Sequence, residues 1–214
     1  MENKEICFCE TTLGKLKEHS GGQKIPLINE AGKTVANLVV KRCDMEKIPA
    51  FSDYLKSGYE ISLMGAVDFT YSNGSATNPT SLHYTGTDSG NQYEQALRAV
   101  GSILSGYDAD QKYPFYGFGG IPDGADKVSH CFPINGDAAN PELEGIENVI
   151  AAYRDSVTKV KFLGPTQFAP ILRQAKENVR ACTNDKMYWI LLLLTDGEIH
   201  DMRETIDEIA EISE

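Results

Sequence analysis

Ile61-Ser62-Leu63-Met64-Gly65-Ala66-Val67-Asp68-Phe69-Thr70-Tyr71-Ser72 passes without a break from an apolar run into an alternating row of oxygen side chains. The run 61–67 has strand length and ends on a carboxylate, which reads as a buried strand of a parallel sheet. Working outward from it, strand and helix patterns alternate. Residues 92–104 carry Tyr93, Ala96, Leu97, Val100 and Leu104 at helical spacing. Residues 113–118 read as a strand closed by Gly119-Gly120, and 128–134 as a third closed by Asn135-Gly136. Residues 145–157 and 170–182 read as helices. Residues 188–194 form a strongly apolar strand that stops at Thr195-Asp196-Gly197, and 202–212 begin a last helix. This alternation predicts an α/β, doubly wound, mostly parallel sheet with helices on both faces. Such sheets take ligands beyond the carboxyl ends of their strands. The acidic residues that directly follow apolar strands are Asp68 and Asp196.

Upstream the pattern is different, and the chain divides near residues 45–51. Two short apolar segments, 24–28 and 34–42, flank the turn sequence Asn29-Glu30-Ala31-Gly32-Lys33. A hairpin-like pattern of about 40 residues is too small for an independent core. Residues 1–45 are therefore expected to be an incomplete β-domain piece, and 46–214 the α/β domain. The polar segment 71–91 is longer than most strand–helix loops, as functional loops often are.

The net charge is −11, and no basic run of five or more residues occurs. Nucleic acid is not expected as a partner, because phosphate binding draws on clustered Lys and Arg. Unaided binding to anionic lipid is opposed for the same reason. Five cysteines, an odd number with no C-x-x-C, argue against a zinc cluster or a disulfide framework. The N-terminal residues lack the apolar core of a signal peptide, and the longest apolar run, 189–194, is too short to cross a membrane. A cytoplasmic protein is the expectation.

The chemistry lies at the strand ends. In Asp68-Phe69-Thr70-Tyr71-Ser72, three oxygen side chains stand two residues apart and share one side of an extended segment. One carboxylate and two hydroxyls suit a hard cation such as Mg²⁺ or Mn²⁺. Gly164-Pro165-Thr166 adds a hydroxyl before a helix, and Asp196 a second carboxylate. Water would complete six oxygens, and a partner's carboxylate could replace one water. Asp68 could instead be the nucleophile of a Mg²⁺-dependent phosphoryl hydrolase. Hydroxyls at both i+2 and i+4 favour ligation, and no Lys stands where it would clearly stabilise a phosphoryl group. No enzymatic activity is expected. His200 reads as a solvated loop position, His83 and His130 as structural. Asp108-Ala109-Asp110 reads as a helix-ending turn.

Several further stretches carry a resemblance. Asp68-Phe-Thr-Tyr-Ser-Asn-Gly74, Asn78-Pro-Thr-Ser-Leu-His-Tyr84, Tyr116-Gly-Phe-Gly119, Phe132-Pro-Ile-Asn-Gly136, Gly164-Pro-Thr-Gln-Phe-Ala-Pro170 and Thr195-Asp-Gly197 resemble, in order, the signatures of copines. The resemblance implies a von Willebrand factor A-like, Rossmann-type domain over 46–214. It also implies a metal-ion-dependent adhesion site on Asp68, Thr70, Ser72, Thr166 and Asp196. Residues 1–45, with Thr11-Thr-Leu-Gly14 and Ile25-Pro-Leu-Ile-Asn29, resemble the last strands of a C2 domain. By the same resemblance, Ca²⁺ and anionic phospholipid are cofactor and partner of the full-length protein, through C2 loops absent here. The chain would move from cytoplasm to membranes when calcium rises, and its protein partners would offer an acidic side chain to the metal. A complete A domain has two further strands after the last helix. The expectation is therefore a domain lacking its C-terminal strands, with 188–194 at the sheet edge. A RING ubiquitin ligase relative is the other family setting, but no RING cysteines are present.

Overall fold

The computed structural model describes residues 7–87 and 89–212. Residues 1–6, at the start of the C2-like segment, lie outside the described residues, as do 88 and 213–214. The chain divides into two compact units, one up to Asp53 and the other from Tyr54.

The first unit contains helix α1 (Leu13–Glu18) and strands β1 (Lys24–Ile28) and β2 (Thr34–Val39). The strands form the expected antiparallel hairpin. Its turn is tied by Asn29, whose side-chain oxygen accepts from the N–H groups of Ala31 and Lys33 at 3.1 and 3.0 Å. The sequence reading left α1 out. Its first turn is capped by Thr12, which accepts from the Lys15 N–H. None of the described residues of this unit is fully buried.

Helix α2 (Phe51–Lys56) leads into the second unit, where β3 (Glu60–Asp68) is the central strand. It is followed by a single 3-10 turn at Tyr71–Asn73, helix α3 (Gln92–Leu104), β4 (Lys112–Phe118), β5 (Gly120–Ile121), β6 (Phe132–Pro133) and β7 (Glu142–Glu144). Then come α4 (Ile146–Lys159), β8 (Lys161–Phe162), α5 (Ala169–Ala181), β9 (Met187–Leu194) and α6 (Met202–Ile212). The main sheet has the order β6-β4-β3-β9, with β7 added to β4. β3 runs parallel to both β4 and β9.

Alternate residues of β3 feed two cores, as the two-residue repeat of a strand requires. Ile61, Leu63 and Val67, with Phe69 just beyond, pack with Leu97 of α3 and Ile150 and Tyr153 of α4. Met64 and Ala66 pack with Phe118 of β4, Phe168 just before α5 and Ile171 within it. Helices therefore cover both faces of a mostly parallel sheet. No helix among the described residues is long and apolar enough to cross a membrane.

One strand differs from the sequence reading. Of 128–134, only Phe132 and Pro133 form a strand, and it runs antiparallel to β4. The chain turns back on itself after β4: Ser129 donates to the Gly120 carbonyl and Gly119 donates to that of Ser129. A parallel return needs a long crossover, usually a helix, and this connection contains none. β7 is also antiparallel, pairing with the first half of β4. That half holds Pro114, which has no N–H to give a ladder. The β3 ladder on β4 begins only at Phe115.

Gly65 sits opposite Phe115 in that ladder. A Cβ added at Gly65 would lie 2.0 Å from Phe115 Cε1. Gly65→Ala is therefore expected to cost about 1–3 kcal/mol through overpacking. In urea unfolding, Phe115→Leu should recover part of that loss in the double variant, so the two changes should couple favourably. Additive losses would disprove the contact.

Candidate metal centre

Asp68 ends β3 with its side chain wholly buried. Both carboxylate oxygens are engaged. Oδ1 accepts from the Thr70 N–H at 2.8 Å, and Oδ2 from the Thr195 hydroxyl at 2.7 Å. No Lys or Arg forms an ion pair with it among the described residues. Burial pushes its carboxyl above the usual range, against the lowering effect of the Thr195 and Thr70 hydrogen bonds; the like charge of Asp196 adds to the rise. Burial and that like charge both disfavour the ionised carboxyl, which a proton or a bound cation would relieve.

The backbone beyond Asp68 turns so that Thr70 and Ser72 face each other, their hydroxyl oxygens 3.0 Å apart. Neighbouring ligands of an octahedral ion with metal–oxygen bonds of 2.0–2.1 Å are separated by about 3.0 Å. The pair therefore matches one edge of a Mg²⁺ shell. The Thr70 hydroxyl is steadied by the Asn73 amide, which donates to it at 3.2 Å. The Tyr93 hydroxyl donates to the Asn73 amide oxygen at 2.5 Å.

Thr166 reaches this edge by a separate route. β8 pairs antiparallel with β5, beside the exit of β4. Leu163 then forms a parallel bridge with Thr70, accepting from the Tyr71 N–H at 3.1 Å and donating to the Phe69 carbonyl at 3.3 Å. Thr166, three residues on, is almost wholly buried. Asp196 stands exposed just past Thr195, the residue that binds Asp68. The structure thus brings Asp68, Thr70 and Ser72 into one contact group. Thr166 and Asp196 arrive on loops pinned to that group and make no hydrogen bond to its three side chains among the described residues. Among those residues there is also no group of three or more His, Cys, Asp or Glu able to hold a metal. The present set has two carboxylates, and its other donors are hydroxyls. Two negative charges and hard oxygen donors fit Mg²⁺ or Mn²⁺.

The sequence reading gave His83 a structural role, and the structure shows what it supports. His83 is fully buried and lies between two partners: Nε2 is 2.7 Å from the Asp68 carbonyl oxygen and Nδ1 is 2.7 Å from the Tyr153 hydroxyl. A carbonyl only accepts, so Nε2 carries the proton and Nδ1 accepts from Tyr153. Tyr153 in turn accepts from the Asn91 amide at 3.1 Å, and Asn91 caps α3 by accepting from the Glu94 N–H. One chain of donors runs from the first turn of α3 through α4 to the Asp68 loop. Burial keeps the Tyr153 hydroxyl protonated by raising its pKa, as the chain requires. The 71–91 segment is thus partly interior, with Asn73, Ser81, His83 and Asn91 buried. Asp201 was missed. Its two oxygens accept from the N–H groups of Phe168 and Ala169, at 3.0 and 2.9 Å, and so hold the start of α5. The signal for these residues is spatial: Asp68 and Thr195 are 127 positions apart, and His83 and Tyr153 are 70 apart.

Burial lowers the His83 pKa to about 4, from about 6.5 in the unfolded chain. A histidine held neutral in the fold leaves stability intact above pH 6.5. That stability is lost as pH falls toward 4, because the unfolded chain binds the proton first. The loss is on the order of 3 kcal/mol, and should show in urea unfolding between pH 7 and 4. His83→Gln should be less stable at pH 7 and should flatten that part of the profile. An equally steep profile in the variant would assign the acid loss to other groups.

The sequence model of one protein family, described as Copine, matches residues 81–214. The matched stretch includes Thr166 and Asp196, the His83 support and the Asp201 cap, and begins after Asp68, Thr70 and Ser72. It covers more than half of the chain and lies within the unit whose strand ends form the candidate site. On that match and on the fold that carries it, this chain belongs to the copine family.

Proposed function

We propose that this domain is a cation-dependent protein-interaction module, with Mg²⁺ or Mn²⁺ held by Asp68, Thr70, Ser72, Thr166 and Asp196. The observation that carries the reading is the buried Asp68 carboxylate, with no cationic side chain paired to it among the described residues, at the meeting point of three strand-end loops. The cation offsets two negative charges and leaves a position for a partner's carboxylate. Binding, rather than catalysis, is favoured by Asp68 itself. Hydrogen bonds occupy both of its oxygens, which suits a ligand better than a nucleophile. In the wider protein, membrane recruitment would follow the copine pattern: Ca²⁺ binds C2 loops and links them to anionic phospholipid. The net charge of −11 opposes binding of anionic lipid by this chain on its own.

Calorimetry should detect Mn²⁺ or Mg²⁺ binding to the chain. Asp196→Ala should abolish it and leave the unfolding midpoint of the metal-free protein nearly unchanged, since Asp196 is exposed. Undiminished binding in that variant would remove the assignment. The hydrolase alternative predicts phosphate release from an aryl phosphate, lost in Asp68→Asn; turnover of that kind would replace the binding reading. In sedimentation with phosphatidylserine vesicles, this chain should stay in the supernatant with or without Ca²⁺. Ca²⁺-dependent pelleting would instead place the lipid contact in these residues.

A further inference from the structure

The segment after β9 grips the Thr166 loop at two points. Asp201 takes the N–H groups of Phe168 and Ala169, and the Thr205 hydroxyl donates to it at 3.1 Å. Its oxygens are thereby committed to holding α5. One residue earlier, His200 and Thr166 pair in both directions. The His200 N–H donates to the Thr166 carbonyl at 2.9 Å, and the Thr166 N–H donates to His200 Nδ1 at 3.3 Å.

The second of these bonds determines the ring's proton. A backbone N–H can only donate, so Nδ1 accepts and the proton of the neutral ring sits on Nε2. His200 is exposed, and Nε2 has no hydrogen-bond partner among the described residues. A donor fixed by its own backbone partner therefore stands beside one of the candidate ligands. While Nδ1 accepts that bond, the ring carries one proton and no charge. A Lys or Arg at this place would repel the dication, whereas a neutral imidazole N–H can bind an anion without that cost.

We infer that His200 divides its two ring nitrogens between two tasks: Nδ1 positions Thr166, and Nε2–H recognises the carboxylate that a partner protein brings to the site. His200 is thus a positioning and specificity residue rather than a metal ligand. The second task rests on the metal-centre reading above, because that carboxylate is the one that takes the open position on the cation.

Three variants separate the tasks. His200→Asn retains an acceptor near the Nδ1 position and lacks the distant donor. His200→Gln retains a distant donor and lacks the near acceptor, and His200→Ala lacks both. Mn²⁺ affinity is measured by calorimetry. Recognition is measured on the Mn²⁺-loaded protein with a capped Gly-Gly-Glu-Gly-Gly peptide, against its Gln counterpart. Nitrogen NMR of the metal-free wild type should show His200 protonated at Nε2 and bare at Nδ1. The Asn variant should bind Mn²⁺ within about threefold of wild type and the Glu peptide about tenfold more weakly, the effect of one lost hydrogen bond to a charged group. The Gln and Ala variants should bind Mn²⁺ about tenfold more weakly.

Protonation at Nδ1, or wild-type Mn²⁺ affinity in the Ala variant, would overturn the positioning task. Wild-type peptide affinity in the Asn variant, or no preference of the wild type for Glu over Gln, would overturn the recognition task. If the wild-type chain binds no Mn²⁺, the metal-centre reading and the recognition task fall together. The ring spectrum then still decides the positioning task on its own.

Discussion

Burying a carboxylate at the carboxyl end of the central strand constrains the whole of the α/β unit. Asp68 is inaccessible to water, so its carbonyl and both carboxylate oxygens must find partners inside the protein. Three elements supply them: Thr70 on the same loop, Thr195 at the end of β9, and His83 from the long segment before α3. Each partner must itself be held. The Asn91–Tyr153–His83 chain shows how far that requirement extends, into the first turn of α3 and the middle of α4. The hydrogen bonds satisfy the oxygens but leave the negative charge in place. The dication proposed above would answer that charge, as would a proton on the carboxyl, whose pKa burial raises.

The two-faced packing of β3 is what makes such a site possible. Its odd-numbered residues lie against α3 and α4, and its even-numbered residues against α5. Helices on both faces bury the strand completely, and this forces its last residue to be buried too. The Gly65–Phe115 contact belongs to the same packing, because the ring occupies the space that a side chain on Gly65 would need. On the α5 side, α6 is joined by ion pairs: Arg173 with Glu204 and Glu208, and Lys176 with Glu208 and Glu211, the Lys176 and Glu208 side chains being largely covered. The pair between the exposed Arg173 and Glu204 contributes little. The firm link there is Asp201, which fastens the start of α5 to the segment after β9 and so sets where the Thr166 loop can lie.

His83 and His200 show how one residue type serves two different ends. Both lie within hydrogen-bonding reach of a candidate ligand, and a backbone group fixes the proton of each. At His83 a carbonyl places the proton on Nε2, and that proton is spent inside the core. At His200 an N–H takes Nδ1, and the remaining proton, on an exposed ring, has no partner among the described residues. The sequence reading separated a structural His83 from a solvated His200 but could show the proton of neither ring.

The strands at 61–67, 113–118 and 188–194, the helices at 92–104, 145–157, 170–182 and 202–212, and the positions of Asp68 and Asp196 at strand ends were all legible in the chain. Burial patterning is a local property, with a period of two or 3.6 residues, and needs no knowledge of distant segments. The return after β4 was not legible as antiparallel, because an apolar run does not record its direction in a sheet. Nor could spacing reveal Thr195, His83 or Asp201 as supports of the site. Each acts through a single hydrogen bond or a pair of them, across tens of residues or more. Only the tertiary structure decides which of the many polar side chains in this sequence meet, because a hydrogen bond depends on placement to within a few tenths of an ångström. The sequence determined the sheet and the end of it that faces the site; the fold determined what holds that end in place.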